Sequence, residues 1–496
     1  MHHLTGRRGR RRPLRSTAAP HARTARAARV LAALAAVALL LAPQAVAAPA
    51  AVTATDTDFT GSGGVTLHGT VLSPAGDATA ARPGLVMVPG AGPTGRADLR
   101  AAAEAYARHG TVVLVYDKRT DGYSTLHRDY SQLADDAQAA FRLLRGRADV
   151  DPARAGFWGL SEGAWVVSLA AGRTPDAAFV VTVGAVGLSP LRQQAWAYGG
   201  YLRHHGVRGS LIPTMQRTAA RVLGGAGLFP EADYDPVPAW SAIRRPVLAE
   251  WGEFDREAAP QESAAIIRGA LDRAGNTHYT LRAVPGVRHN LNRTADEGFD
   301  RPDDLPPDYA DFESAWIRGL GTAPPAIRVD AFPAPDHPSR ALAPLAGYEA
   351  PWVQLTAVLV CAVGFLGHPL TALVRRLRGR RERPVAARPA RLVAAAGLTA
   401  LVGGLCYLLF MVVTAGAFTG PVLLGRPLPW LLLQLAAVTT VPAAVALAVQ
   451  WSRARRPAGG AARAAVPRAE QIRLALLAAA AVTFVPWALY WGLLTP

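Results

Sequence analysis

The sequence predicts an α/β domain with a mostly parallel central sheet and helices on both faces, followed by four transmembrane helices. Three observations predict it. Residues 52–325 alternate short β-branched runs with amphipathic helical stretches, the rhythm of a sheet covered by crossover helices. From about residue 352, four long stretches contain no Asp, Glu, Lys or Arg. The basic residues crowd beside those stretches rather than along the α/β part.

The charge distribution excludes one class of function. The net charge of +17 suggests a nucleic-acid binder until it is located. Residues 1–48 hold 9 Arg and no acid, residues 375–391 hold 8 Arg and one Glu, and residues 453–473 hold 6 Arg and one Glu. Residues 49–350 carry 29 basic and 34 acidic side chains, so nucleic-acid binding by this part has no electrostatic support. Two cysteines, Cys361 and Cys406, both fall in the apolar C-terminal part. A disulfide framework or a Cys-type zinc site in the α/β part is therefore not expected, and no cofactor is indicated.

Taken in order, residues 1–48 read as an export signal: an Arg-rich start, an apolar run over 30–42, and Ala45-Val46-Ala47 as a small-residue cleavage site. The α/β domain is expected over 49–325. Its strands are expected at 65–72, 84–88, 111–116, 155–159, 179–183, 246–251 and 279–284. Helices are expected at 97–109, 130–145, 162–171, 261–274 and 308–320. Residues 190–240 break this rhythm with helical sequence and read as a cap inserted over the sheet. Pro- and Ala-rich residues 326–350 read as a linker to a four-helix region over 351–496. Its charge-free stretches are 352–374, 392–425, 427–452 and 474–496. The basic loops between the first and second and between the third and fourth stretches belong on the cytoplasmic side. That places residues before 352 outside the cell, the side to which the export signal delivers them.

Candidate chemistry begins at Gly159-Leu160-Ser161-Glu162-Gly163, which follows an expected strand and opens an expected helix. A strand–turn–helix elbow of this pattern projects the serine hydroxyl away from the backbone, and the glycines relieve the crowding. A serine needs a base to take its proton. His289 lies in the loop after the last expected strand, whereas His278, His204 and His205 do not. An acid must orient that base and support its positive charge. Asp255, in the loop after the 246–251 strand, fits the chain order, with Glu253 as its competitor and Glu250 within the strand itself. The oxyanion donors are expected to be the backbone N–H groups of Glu162 and of Ala91, in the turn Pro89-Gly90-Ala91-Gly92-Pro93.

With these pieces in order, residues 60–320 resemble bacterial α/β-hydrolases of the esterase and serine-aminopeptidase-like group. The matching pieces are Val86 to Gly92, Tyr116-Asp117-Lys118-Arg119 with Gly122 and Ser124, Gly159 to Gly163, Trp251 to Asp255 and Gly286 to His289. Pro89 stands where many relatives have His. The resemblance implies a serine hydrolase, first of all a carboxylic ester hydrolase acting on a small-molecule ester through an acyl-enzyme on Ser161. The alternatives are a peptidase or amidase of the same fold acting on a short peptide, or a non-catalytic membrane protein that binds or signals. Asp117-Lys118-Arg119 is expected to form a salt-bridged turn near the pocket. In the four-helix part, His368 with Pro369 is expected to be a buried histidine at a kink rather than a ligand.

Overall fold

In the computed structural model, residues 51–76, 81–379, 385–455 and 466–496 are described. The expected export signal lies outside them, as does the middle of each basic loop. Nine strands form one sheet: β1 (Val52–Thr60), β2 (Thr66–Pro74), β3 (Arg82–Val88), β4 (Val112–Tyr116), β5 (Val150–Leu160), β6 (Val180–Val183), β7 (Val247–Gly252), β8 (Tyr279–Val284) and β9 (Arg328–Val329). Their order is β1-β2-β4-β3-β5-β6-β7-β8-β9. The pairs β1–β2 and β2–β4 are antiparallel and the remaining pairs are parallel.

The central strands β4, β6 and β7 are buried at every residue. They read as nearly unbroken apolar runs because helices cover both faces of a parallel sheet. These helices are α1 (Arg100–Arg108), α2 (Tyr130–Arg145), α3 (Glu162–Arg173), α7 (Pro260–Arg273) and α8 (Asp311–Gly319). The start of α2 is fixed by Asp129, whose side chain accepts from the N–H of Gln132. Strand β1 is not foreseen from the sequence because it is an exposed edge of alternating Thr and Asp. It is held by its register with β2 rather than by burial.

Between β6 and β7 the chain leaves the sheet. It forms α4 (Pro190–His204), then a helical run (α5) composed of Leu211–Pro213, the wider-wound Thr214–Ala219 and Ala220–Gly225, then α6 (Val237–Ser241). The segment read as a linker lies across the domain. Val329 pairs with β8, Phe332 packs edge-on against Trp251, and Ser339 donates to Glu262.

Four helices follow: α9 (Pro351–Leu377), α10 (Ala387–Val413), α11 (Leu428–Arg455) and α12 (Arg468–Tyr490). Each is long and apolar enough to cross a membrane. A two-residue hairpin, Val422–Leu423 with Arg426–Pro427, joins α10 to α11. The helices run past the charge-free stretches, so Glu470 and Arg473 sit inside α12. Their charges are matched there: Arg473 pairs with Glu470 and donates to His368 Nδ1 at 2.5 Å, while Arg375 reaches Glu470 at 2.9 Å. His368 is thus a buried histidine with an internal partner, in a helix that contains Pro369.

Candidate active site

Ser161 stands between the end of β5 and the start of α3 with φ 55° and ψ −115°. A non-glycine residue held there costs about 1–3 kcal/mol, so the surroundings must impose the conformation. They do so by close packing. A Cβ on Gly159 would collide with the carbonyl of Gly163, and one on Gly163 with the carbonyl of Val88. The Ser161 N–H donates to the carbonyl of Val183 at 2.9 Å, tying the elbow to the end of β6.

Asp255 and His289 meet where the loops after β7 and β8 lie together. The N–H of Phe254 donates to the Val287 carbonyl at 3.0 Å. Gly252 leaves no room for a side chain beneath Val287 and Arg288. Asp255 Oδ1 accepts from the N–H groups of Glu257 and Ala258, each at 2.8 Å, which aims Oδ2 at His289 Nδ1, also at 2.8 Å. Glu253 points elsewhere and accepts from the N–H of Gly286 at 2.9 Å. Between the two acids left open by chain order, the geometry brings Asp255 to the histidine. Gly184, directly after β6, has φ 59°, and a Cβ there would lie 2.5 Å from His289 Cε1. His289 therefore packs against the strand end neighbouring Ser161. Its Nε2 is buried and has no hydrogen-bond partner among the described residues.

Burial disfavours charge on both members of this pair, but their mutual attraction outweighs it. The pKa of Asp255 is lowered despite burial by the His289 charge, its hydrogen bond and the two backbone N–H groups. The pKa of His289 is raised despite burial by the charge of Asp255 and then that of Glu257. Glu257 places Oε2 3.9 Å from His289 Nε2. Around Glu257 stand Arg301 at 3.4 Å, Arg288 at 3.9 Å and the hydroxyl of Tyr201 at 3.3 Å.

As the first residue of α3, Glu162 has an N–H with no intrahelical acceptor. The turn holding Ala91 comes close to it, since a Cβ on Gly90 would lie 3.6 Å from the Ser161 Cβ. The Glu162 side chain, whose role the sequence does not announce, anchors that turn. It is buried and accepts from Lys118 Nζ at 2.8 Å, the Tyr123 hydroxyl at 2.8 Å and Arg128 at 2.7 Å. Lys118 also donates to the carbonyls of Gly90 at 2.5 Å and Gly92 at 3.3 Å, and the Gly92 N–H donates to the Tyr123 hydroxyl at 3.0 Å. Burial lowers the pKa of Lys118, with the Glu162 charge opposing it. Arg119 pairs with buried Asp136 at 2.7 Å and Asp117 with Arg96 at 3.2 Å. The Asp117-Lys118-Arg119 turn is thus salt-bridged, as expected. Only the charge of Glu162 within the motif, at the start of a buried helix, could have hinted at this hub.

The other histidines are engaged elsewhere: His204 with Asp296 at 2.9 Å, His205 with the Ala417 carbonyl at 2.9 Å and His278 with the Pro325 carbonyl at 3.0 Å. No group of three or more His, Cys, Asp or Glu among the described residues could hold a metal ion. A cleft of about 520 Å³ adjoins the turn after β3, lined by Gly92, Thr94, Asp117, Lys118 and Tyr123, but neither Ser161 nor His289 lines it.

The sequence model of the prolyl oligopeptidase family matches residues 98–305. The chain is 35% identical over 85 residues to the polyketide transferase claH of Penicillium crustosum, covering 16% of this chain and 28% of that protein. It is 34% identical over 105 residues to the acyltransferase drtE of Aspergillus calidoustus, covering 20% of this chain and 34% of that protein. The match thus spans about a third of each relative's length. Among solved structures, a dienelactone hydrolase from Anabaena variabilis is 17% identical with a TM-score of 0.34, covering 55% of this chain and 98% of its own. Esterase 2 of Thermogutta terrifontis is 18% identical with a TM-score of 0.38, covering 55% and 96%. Dipeptidyl peptidase 4 of Porphyromonas gingivalis is 15% identical with a TM-score of 0.37, covering 53% and 35%. The chain thus has an α/β-hydrolase fold, a mostly parallel sheet with a serine at the turn from β5 into α3, matched over residues 98–305 by the prolyl oligopeptidase family model and followed by four helices long and apolar enough to cross a membrane.

Proposed function

We propose that the protein hydrolyses carboxylic esters through an acyl-enzyme on Ser161, outside the cell and against the membrane. The observation that carries the mechanism is the 2.8 Å hydrogen bond between His289 Nδ1 and Asp255 Oδ2, which accepts it, with His289 Nε2 left without a hydrogen bond among the described residues at the strand end beside Ser161. In this reading, Nε2 takes the Ser161 proton as the hydroxyl attacks the ester carbonyl. Asp255 holds the imidazole in the correct tautomer and supports its charge. The N–H groups of Ala91 and Glu162 receive the oxyanion, each worth about 3 kcal/mol of barrier. His289 then protonates the leaving alkoxide, and water enters by the same route to free the acid.

The match to the prolyl oligopeptidase family favours a second reading, in which the same residues cleave a short peptide. Against an aminopeptidase, the acid beside His289 is already committed: Glu257 faces Arg301, Arg288 and Tyr201, so its carboxylate is not free for a substrate amine. Comparing kcat/KM on p-nitrophenyl esters and aminoacyl p-nitroanilides, with the full chain in detergent micelles, separates the two. Ester turnover abolished in Ser161→Ala supports the first reading; faster anilide turnover supports the second. The basic loops support the outward placement of the α/β domain. Protease added to intact cells should digest residues 50–350, and full protection would contradict that side.

A further inference from the structure

One membrane helix would suffice to anchor a hydrolase domain, and the described residues hold four helices able to cross a membrane. The insertion between β6 and β7 supplies a reason. Its helix α4 belongs to two cores at once. Trp196 and Ala197 are buried with the α/β domain, while Tyr198 and Leu202 are buried with the four-helix bundle. Val207, Leu211, Met215 and Ala219 continue into the bundle core beside Trp430, Leu433 and Trp491.

Polar contacts fix this seat at one end of the bundle. Ser210 Oγ is buried and donates to the Gly492 carbonyl at 2.7 Å, while Trp430 Nε1 and Gln434 Nε2 donate to it at 3.3 and 3.1 Å. Gln434 Nε2 also donates to the carbonyls of Gly492 and Thr495, at 3.2 and 2.8 Å. The Arg208 N–H donates to the Gly425 carbonyl at 2.6 Å, and Arg221 pairs with Glu349 just before α9. Gly492 has φ 79°, and a Cβ there would strike the Thr214 hydroxyl.

The same helix touches the catalytic loops on its other side. Gln193 donates to the Glu257 carbonyl at 2.5 Å, and the Tyr201 hydroxyl meets the Glu257 carboxylate at 3.3 Å. Glu257 in turn stands 3.9 Å from His289 Nε2.

We infer that the four-helix bundle is a working part of the active site. One end of it seats the insertion as a cap, and through α4 it sets Tyr201 and Glu257 against His289. Ser210 and Gln434 are positioning residues in this scheme, acting through Tyr201 and Glu257 rather than on substrate. The inference rests on the serine-hydrolase reading above. Two physical facts carry it: a helix shared by two packed cores cannot shift in one without disturbing the other, and buried polar groups that lose their partners open the seat. The groups facing the catalytic histidine are Asp255, Glu257 and Arg288, with Arg301 and Tyr201 behind Glu257.

The test uses the full chain in detergent micelles with Ser210→Ala combined with Gln434→Leu. Hydrogen exchange reports whether residues 193–225 loosen while β3 to β7 keep their protection. The expected result is faster exchange in α4 and α5, roughly a tenfold or greater fall in kcat/KM for an ester, and an acid limb of the pH–rate profile displaced from its wild-type position. Ser210→Thr, which keeps the hydroxyl, should leave all three at their wild-type values when made alone. If the double variant does not fold, Gly492→Ala opens the same seat from the bundle side and should give the same changes. A loosened cap with wild-type kcat/KM and pH profile would overturn the inference. Failure of the serine-hydrolase reading looks different: the wild-type enzyme would itself show no Ser161-dependent turnover.

Discussion

Replacing Lys118 by Met tests how the turn proposed to carry the oxyanion donor Ala91 is held. The Lys118 side chain is 5% exposed and bonds Glu162 at 2.8 Å and the carbonyls of Gly90 and Gly92 at 2.5 and 3.3 Å. Methionine keeps most of the volume and removes every one of those donors. Breaking a buried ion pair by removing one partner costs about 3–5 kcal/mol. Glu162 here keeps Arg128 at 2.7 Å and the Tyr123 hydroxyl at 2.8 Å, so the loss should fall to about 2–3 kcal/mol. That energy is felt at the turn carrying Ala91. Displacing one oxyanion donor costs roughly 10²-fold or more in rate. The assay is the second-order rate of fluorophosphonate reaction with the full chain, beside a thermal unfolding curve. A fall of about 10²-fold is expected. Wild-type reactivity in Lys118→Met would refute the claim that this lysine holds the turn in place.

Three other outcomes follow from the same geometry. Glu257→Gln removes a negative charge that helps raise the His289 pKa, so the acid limb of kcat/KM should move to lower pH; an unmoved limb would show that Glu257 does not act on His289. Asp255→Asn should lower kcat by about 10³–10⁴-fold, whereas Glu253→Gln, at a side chain that bonds the Gly286 N–H instead of the histidine, should stay within about twofold; equal losses would reopen the choice of acid. Gly184→Ala should abolish most activity while the protein still folds, because the new methyl occupies the place of the His289 ring; full activity would mean that the histidine sits elsewhere.

The sheet is readable from sequence wherever a strand is buried on both faces, because β3, β4, β6 and β7 are nearly continuous apolar runs. It is not readable at its two edges. Strand β1 is mostly exposed Thr and Asp, and β9 is two residues long, so pairing rather than composition defines both. Chain order singles out Ser161, Asp255 and His289, and the fold places each in the loop that follows a strand, with Asp255 bonded to His289. Tyr201 and Glu257 are not. They lie 56 residues apart and meet only because the insertion folds back over the acid loop. The Glu162 hub stays hidden for a related reason: Lys118, Tyr123 and Arg128 lie 34 to 44 residues before it in the chain, and only the fold gathers them around one buried carboxylate. The charge-free criterion misses the start of α12, since Glu470 and Arg473 neutralise each other within the helix.

The central claim is that Ser161 is the nucleophile. Fluorophosphonate labelling of the full chain in detergent micelles, followed by peptide mapping, tests it most directly. One adduct is predicted, on Ser161, and it should be absent from Ser161→Ala. Equal labelling of the two proteins, or an adduct on a different serine, would contradict it.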